Sequence, residues 1–411
     1  MSSKGWELFT FSDFVTINPS VKLDSSTEYS FVEMKNLNEN YRYVSPSITR
    51  KLTGGARFQE KDTLFARITP CLENGKICQV TNLQNGVGFG STEFLVFRGK
   101  AGISDSDFVY YLSRSAEVRK FAELNMLGTS GRQRVTWKAF NNLQLTLPPL
   151  PTQHSIVEKL SALDDKIELN RQTNATLEAI AQAIFKEWFV DFNYPGATGE
   201  LVESELGPIP KGWRVGILSE VLSSIESGSR PKGGVGDLAE GIPSIGAENI
   251  NGLGFYDFSK EKFVSEEFFA KLKSGIVKSE DVLLYKDGAS LGRKTMFMDG
   301  FPHQICAINE HVFILRSNNL INQLFLYFWL DQSYMTENIK SLNSNSAQPG
   351  INQPAVRSLP ILIPEKEISE KFEQIVKPLL SNLFNDCKES YSLSLLRDKL
   401  LPKLMSGEIQ I

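Results

Sequence analysis

Histidines, cysteines and clustered carboxylates are the side chains with which a protein binds metal or attacks a substrate, and here their spacing supports neither. His154, His303 and His311 form no HExxH pair, the arrangement that sets two imidazoles on one helix face around zinc. Cys71, Cys78, Cys306 and Cys387 contain no C-x-x-C pair, and Cys71 and Cys78 read as buried thiols. No G-x-G-x-x-G follows a strand to hold a dinucleotide. Gly288-Ala289-Ser290-Leu291-Gly292-Arg293-Lys294-Thr295 approaches a phosphate-binding loop, but three residues separate its glycines and arginine follows the second. That cradle needs four residues and then lysine. Its counterpart, Cys71-Leu72-Glu73-Asn74-Gly75-Lys76, lacks even the glycine spacing, so both read as turns presenting basic side chains. Glu33-Met34-Lys35 has no upstream acidic partner with which to hold a metal. The expectation is a chain with no metal site, no cofactor of its own and no catalytic centre.

The elements that carry those turns are duplicated. Lys4-Gly5-Trp6 returns as Lys211-Gly212-Trp213 at an offset of 207. Lys61-Asp62-Thr63-Leu64-Phe65 matches Glu280-Asp281-Val282-Leu283-Leu284, each running into a basic residue, Arg67 or Lys286. Asn74-Gly75-Lys76 lies opposite Gly292-Arg293-Lys294, and Phe94-Leu95-Val96-Phe97-Arg98 opposite Val312-Phe313-Ile314-Leu315-Arg316. Val109-Tyr110-Tyr111 matches Leu326-Tyr327-Phe328, and Leu143 to Pro148 matches Leu359 to Pro364 at an offset of 216. The order is kept from end to end. A solenoid unit runs ~20–50 residues, so this longer period means two copies of a whole domain.

Each copy has two parts. Residues 1–150 and 209–362 mix short apolar strands, such as 94–97 and 312–315, with helical stretches over 107–124 and 321–342, an α+β pattern. The segments 151–208 and 363–411 are helical, with long helices expected over 152–190 and 367–405 after Pro151 and Pro364. Ile156, Leu160, Leu163, Ile167, Leu177, Ala181, Ile184 and Trp188 recur at coiled-coil spacing in the first. Ile368, Phe372, Ile375, Leu379, Leu393, Leu396 and Leu400 do so in the second. Both seams turn polar midway, at Asn170 and Asn174 and at Asn382, Asp386 and Glu389, while Pro378 is expected to kink the second helix.

Composition excludes the simplest alternatives. With 41% apolar and 22% charged residues in 411, the chain has material for two or three domains and is neither disordered nor fibrous. The N-terminus lacks the pattern of a secretory signal, and the apolar run 324–330 is far short of the ~20 residues of a membrane helix. Few, scattered cysteines suit the reducing cytoplasm. The net charge of −4 hides a division: residues 1–150 carry 18 basic against 14 acidic side chains, residues 151–210 only 4 against 10. A mildly basic N-terminal third permits a nucleic-acid partner.

Two α+β domains, each followed by a long helix, resemble the specificity subunit of type I restriction–modification enzymes. Leu143-Gln144-Leu145-Thr146-Leu147-Pro148-Pro149-Leu150-Pro151-Thr152-Gln153 resembles that family's passage from recognition domain into helix. The run from Leu177 through Phe185-Lys186-Glu187-Trp188-Phe189 to Phe192 is similar to the end of its central conserved region. Gly207-Pro208-Ile209-Pro210-Lys211-Gly212-Trp213 resembles its entry into a second recognition domain, and Leu400 to Ile409 its usual ending. The resemblance covers essentially the whole chain. It implies two target recognition domains (1–150 and 209–362), joined with a pseudo-twofold relation by antiparallel coiled-coil helices within 151–208 and 363–411. It also implies a non-catalytic, DNA-binding subunit that reads the two halves of a split duplex target. Its partners would be two methyltransferase subunits, with S-adenosylmethionine, and restriction subunits, with ATP and magnesium; no membrane is involved.

Under that resemblance the expected DNA contacts lie on corresponding basic loops. In the first copy they are Arg57, Arg67, Lys76 and the turn Ser130, Arg132, Gln133 and Arg134. In the second they are Arg230, Lys232, Lys286, Arg293, Lys294 and the turn Asn345, Ser346 and Gln348. Arg, Lys, Asn and Gln at loop tips suit phosphates and base edges. Two other readings compete: a divergent DNA methyltransferase or nuclease, and an interaction scaffold that does not touch DNA.

Overall fold

The computed structural model describes residues 5–129, 131–235, 238–343 and 350–409. They form two compact units, Met1–Leu169 with Ser390–Ile411, and Asn170–Glu389. Each unit combines one globular part with the adjoining half of both long helices, so the division falls inside the helices.

In the first unit the apolar run at 94–97 is uninterrupted, as suits a strand covered on both faces. It forms the strand Phe94–Gly99 in a five-stranded sheet, in the order Val15–Ile17, Phe94–Gly99, Thr63–Ala66, Ile77–Val80, Tyr43–Val44. Alternate side chains enter different cores. Leu95 and Phe97 join Phe65, Phe108 and Phe140, while Phe94 and Val96 join Leu64, Phe58 and Val80. Helices Ser106–Arg114 and Ala116–Leu124 cover the first core. Strands Glu28–Val32 and Ala56–Gln59, of a four-stranded sheet with Ile48–Lys51 and Val87–Gly90, cover the second. The expected helix over 107–124 is thus two helices. Ser115 takes an extended ψ between them and caps the second by accepting from the backbone of Val118 at 3.3 Å.

The second unit repeats this framework. Val312–Ser317 pairs with Leu222–Ser227 and Val282–Tyr285, as Phe94–Gly99 pairs with Val15–Ile17 and Thr63–Ala66. Its helical stretch likewise divides, into Gln323–Asp331 and Ser333–Ser341. The repeat extends to single residues. Arg98 donates to both oxygens of Asp62 at 2.6 and 2.7 Å, and Arg316 to those of Asp281 at 2.7 and 2.6 Å. Lys61 and Glu280, which precede those aspartates, both take a left-handed backbone, φ 67° and 68°. Each aspartate accepts from the amide three residues before it, Gln59 or Lys278, at 2.8 Å.

The long helices are Leu150–Phe189 and Lys366–Met405, 40 residues each and so about 60 Å long. Pro378 does not interrupt the second; its ring lies on an exposed face. In the first unit Ile156 and Leu160 share a core with Leu401 and Leu404, and Arg397 donates to Asp164 at 2.8 Å. In the second, Asn170 donates to Glu389 at 2.8 Å and to the carbonyl of Asp386 at 3.3 Å, and Phe185 lies 5.7 Å from Phe372 between ring centroids. Within each unit, rising numbers on one helix thus meet falling numbers on the other, and the pairing is antiparallel. The expected polar layer forms at Asn170, Asn174 and Glu389, whereas Asn382 is exposed.

One seam is corrected. Ile375 and Leu396 are each 45% exposed, and beyond Phe372 the buried stripe runs one residue later, through Val376, Leu380, Arg397 and Leu401. The second helix is buried against its own globular part as well as its partner helix; Phe372 and Phe384 contact Phe328 and Phe301. Steps of four through Ile368, Phe372, Val376 and Leu380 therefore replace the strict alternation of a two-helix seam. Leu163, Leu177, Ile184, Leu379, Leu393 and Leu400 are half-buried, and Ile156, Leu160, Ile167, Ile368 and Phe372 buried. Among the described residues, no helix is long and apolar enough to cross a membrane.

Candidate nucleic-acid interface

Three loops converge at the same place in both units. In the first, the amide of Arg67 donates to the carbonyl of Glu93 at 3.0 Å, and the amide of Val135 to the carbonyl of Arg67 at 2.9 Å. In the second, Lys286 donates to His311 at 3.0 Å and Ile351 to Lys286 at 3.0 Å. An isolated bridge joins Ile68 to Arg134, and its counterpart joins Asp287 to Gly350. The turn holding Arg132, Gln133 and Arg134 is thereby fixed beside the residue that follows the strand Thr63–Ala66. Thr69 strengthens the join: its amide donates to the carbonyl of Gln133 at 3.0 Å, and its hydroxyl accepts from the Gln133 amide at 3.1 Å.

The convergence carries charge. Glu93 accepts from Arg134 Nε at 3.0 Å and Nη2 at 2.7 Å, and from Arg67 Nε at 3.3 Å. The Arg134 hydrogen bonds hold the Glu93 carboxyl below its usual range, and Glu93 in turn raises Arg134. Arg132 stands exposed on the turn. Arg57 and Arg67 line one cavity of about 420 Å3 with Asn18, Ser20 and Thr92, and Arg57 donates to the carbonyl of Val21 at 3.4 Å. The carbonyl of Lys76 accepts from the amide of Ala66, next to Arg67, at 3.1 Å, and its side chain donates to the carbonyl of Met34 at 3.3 Å.

In the second unit the same place has different chemistry. His311 occupies the position of Glu93, with Nδ1 2.8 Å from Asp287 and Nε2 3.3 Å from Glu310. Lys286 donates to Ser227 at 3.3 Å and lies 4.7 Å from the ring centre of Phe313. Arg230 pairs with Glu310 at 2.8 Å, and Lys232 and Arg293 are exposed. Lys294 is a correction. It begins the strand Lys294–Met296, which closes one edge of the sheet beside Val282–Tyr285, is 5% exposed, and donates to Thr336 at 2.6 Å with Asp331 at 3.6 Å. Burial lowers its pKa, and so inward a position cannot present the ammonium to DNA. Ser130, Asn345, Ser346 and Gln348 lie outside the described residues.

Sequence reasoning passed over Glu93 and His311. Their signal was available: each immediately precedes a matched strand, Phe94–Gly99 or Val312–Ser317. No group of three or more His, Cys, Asp or Glu among the described residues could hold a metal ion.

Each unit thus repeats one α+β framework with basic side chains on corresponding loops. Residues 3–179 and 210–389 each match the type I restriction modification DNA specificity domain, and the chain belongs to that family. It is 28% identical to the specificity subunit of the type I restriction enzyme MjaIX of Methanocaldococcus jannaschii, over 74% of this chain and 69% of that one. It is 25% identical to the HindI specificity subunit of Haemophilus influenzae, over 98% of this chain and 99% of its relative. The crystal structure of a type I restriction-modification S subunit from M. genitalium shares the fold, with a TM-score of 0.54 and 17% identity over 98% of this chain and 97% of that one.

Proposed function

We propose that this chain is the DNA specificity subunit of a type I restriction–modification complex. Each globular part reads one half of a two-part duplex target. The helical pair sets the gap between the halves, and the chain recruits two methyltransferase subunits and the restriction subunits. It performs no chemistry itself: S-adenosylmethionine belongs to the methyltransferase subunits, and ATP and magnesium to the restriction subunits. The complex works in the cytoplasm, with which four unpaired thiols agree. The observation that carries the reading is the repeated convergence of loops at Arg67 and Lys286, built on one framework with different side chains. One framework docks both heads on DNA alike, while different side chains let them read different bases.

The test is co-expression with the methyltransferase partner, followed by mapping of methylated adenines. Two short conserved sequences separated by a fixed gap are expected. Absence of methylation, or one uninterrupted motif, contradicts the proposal.

A further inference from the structure

Arginines that read bases must point in one direction, and an exposed arginine points in many. Among the basic side chains of the first unit's interface, Arg134 is held by the two-donor contact to Glu93. Its backbone is pinned twice, pairing with Leu127 in a short ribbon and with Ile68 through a bridge. Its side chain is pinned as well. Glu93 takes the edge formed by Nε and Nη2, and the carbonyl of Arg132 accepts from Nη1 at 3.1 Å. The side chain nevertheless remains 39% exposed. A guanidinium offers five donors, and the clamp leaves donors on Nη1 and Nη2 unspent. Two parallel donors of that kind match O6 and N7 of guanine in the major groove. Lysine cannot supply them from one fixed plane.

Resting on the reading of this chain as a DNA specificity subunit, we propose that Arg134, held by Glu93, reads a guanine in one half-site. Glu93 is then a positioning residue, not a contact. The carboxylate also disfavours nearby phosphates, so it lowers general affinity for DNA while it sharpens the choice of base. The second unit supplies an internal control. Gly350 stands at the place of Arg134 in the matching bridge, and His311 at the place of Glu93, so the arginine–glutamate pair is not repeated at those two positions.

The experiment uses the methyltransferase complex assembled with Glu93→Gln, Arg134→Lys or the unaltered chain. Methylated adenines are mapped for each, and binding to cognate and scrambled duplexes is followed across a salt series. Both substitutions are expected to relax one guanine in one half-site, with about a tenfold loss of discrimination there. The other half-site and the gap should not change. Glu93→Gln should leave binding to scrambled duplex equal or tighter, which a purely structural role would not produce. A guanine requirement that survives both substitutions, or affinity lost equally for all sequences, overturns the proposal. Should the unaltered complex yield no two-part motif, it is the reading of the chain that fails; a two-part motif indifferent to both substitutions sinks only the clamp.

Discussion

Arg397 donates to Asp164 at 2.8 Å, across 233 residues of chain, with both side chains almost wholly buried. The same carboxylate accepts from Tyr111 at 2.7 Å, and Tyr111 in turn accepts from buried Arg42 at 3.2 Å. A buried charge network therefore joins the two long helices to the globular part of the first unit. Burial of one ion is costly, and a partner removed leaves the other uncompensated. Asp164→Ala is expected to cost ~3–5 kcal/mol of unfolding free energy. Replacing Asp164 and Arg397 together by leucine and methionine should cost far less. Denaturant melts of the unaltered, single and double chains decide it; a double change that costs clearly more than Asp164→Ala alone, as additive losses would, contradicts the coupling.

The repeat makes a second pair of residues comparable. Tyr110 and Tyr327 occupy matching helix positions and are both fully buried. The Tyr110 hydroxyl accepts from Arg114 at 3.2 Å, but Asp331 stands in the place of that arginine in the second unit, and the Tyr327 hydroxyl has no partner among the described residues. Tyr327→Phe is expected to be neutral or to stabilise by up to about 1–2 kcal/mol, and Tyr110→Phe to destabilise by a similar amount. Thermal midpoints of the two variants should move in opposite directions, or only the second should move. A marked loss from Tyr327→Phe contradicts the assignment.

Glu93 gives a pH dependence with a definite sign. Its hydrogen bonds from Arg134 keep the carboxyl below the ordinary glutamate value of 4.5. A carboxyl depressed in the folded state contributes stability that is complete above 4.5 and is lost as pH falls through the folded value. Carbon-13 titration of the Glu93 carboxyl should therefore show a midpoint under 4.5, and Arg134→Lys should move it upward. A midpoint at or above the ordinary value removes the clamp.

Arg132 is exposed on the neighbouring turn, two residues from the clamped arginine. Arg132→Ala is expected to weaken cognate binding of the assembled complex by ~1–3 kcal/mol. A loss shared by all sequences, with a shallower salt slope, marks a phosphate contact; a loss confined to cognate DNA marks a base contact. Unchanged binding at every salt concentration excludes Arg132 from the interface.

The duplication was legible in sequence because strand cores and their flanking charges recur together: Asp62 and Arg98 reappear as Asp281 and Arg316, each pair closing the same ion pair. The basic turns were legible too, but not which charges are free. Lys294 and Arg293 are neighbours of opposite fate, since Lys294 is the first residue of a strand buried throughout and reaches Asp331, while Arg293 lies just before that strand and is exposed. From Ile375 onward apolar spacing placed the second helical seam one residue early, although Ile368 and Phe372 fall on it, because spacing alone does not tell a helix face covered by its partner from one covered by its own domain. Glu93 was legible only as the residue before a matched strand; its arginines are brought together by the bridge between Ile68 and Arg134, which local sequence does not show.

The measuring role of the helices is tested most directly by lengthening both. One heptad inserted between Leu169 and Asn170, and another between Glu389 and Ser390, adds seven residues to each helix where the two units divide. Seven residues add about 10 Å, the rise of about three base pairs. Methylation mapping should show both half-sites unchanged and the gap between them wider by about three base pairs. Half-sites that stay the same distance apart contradict the ruler.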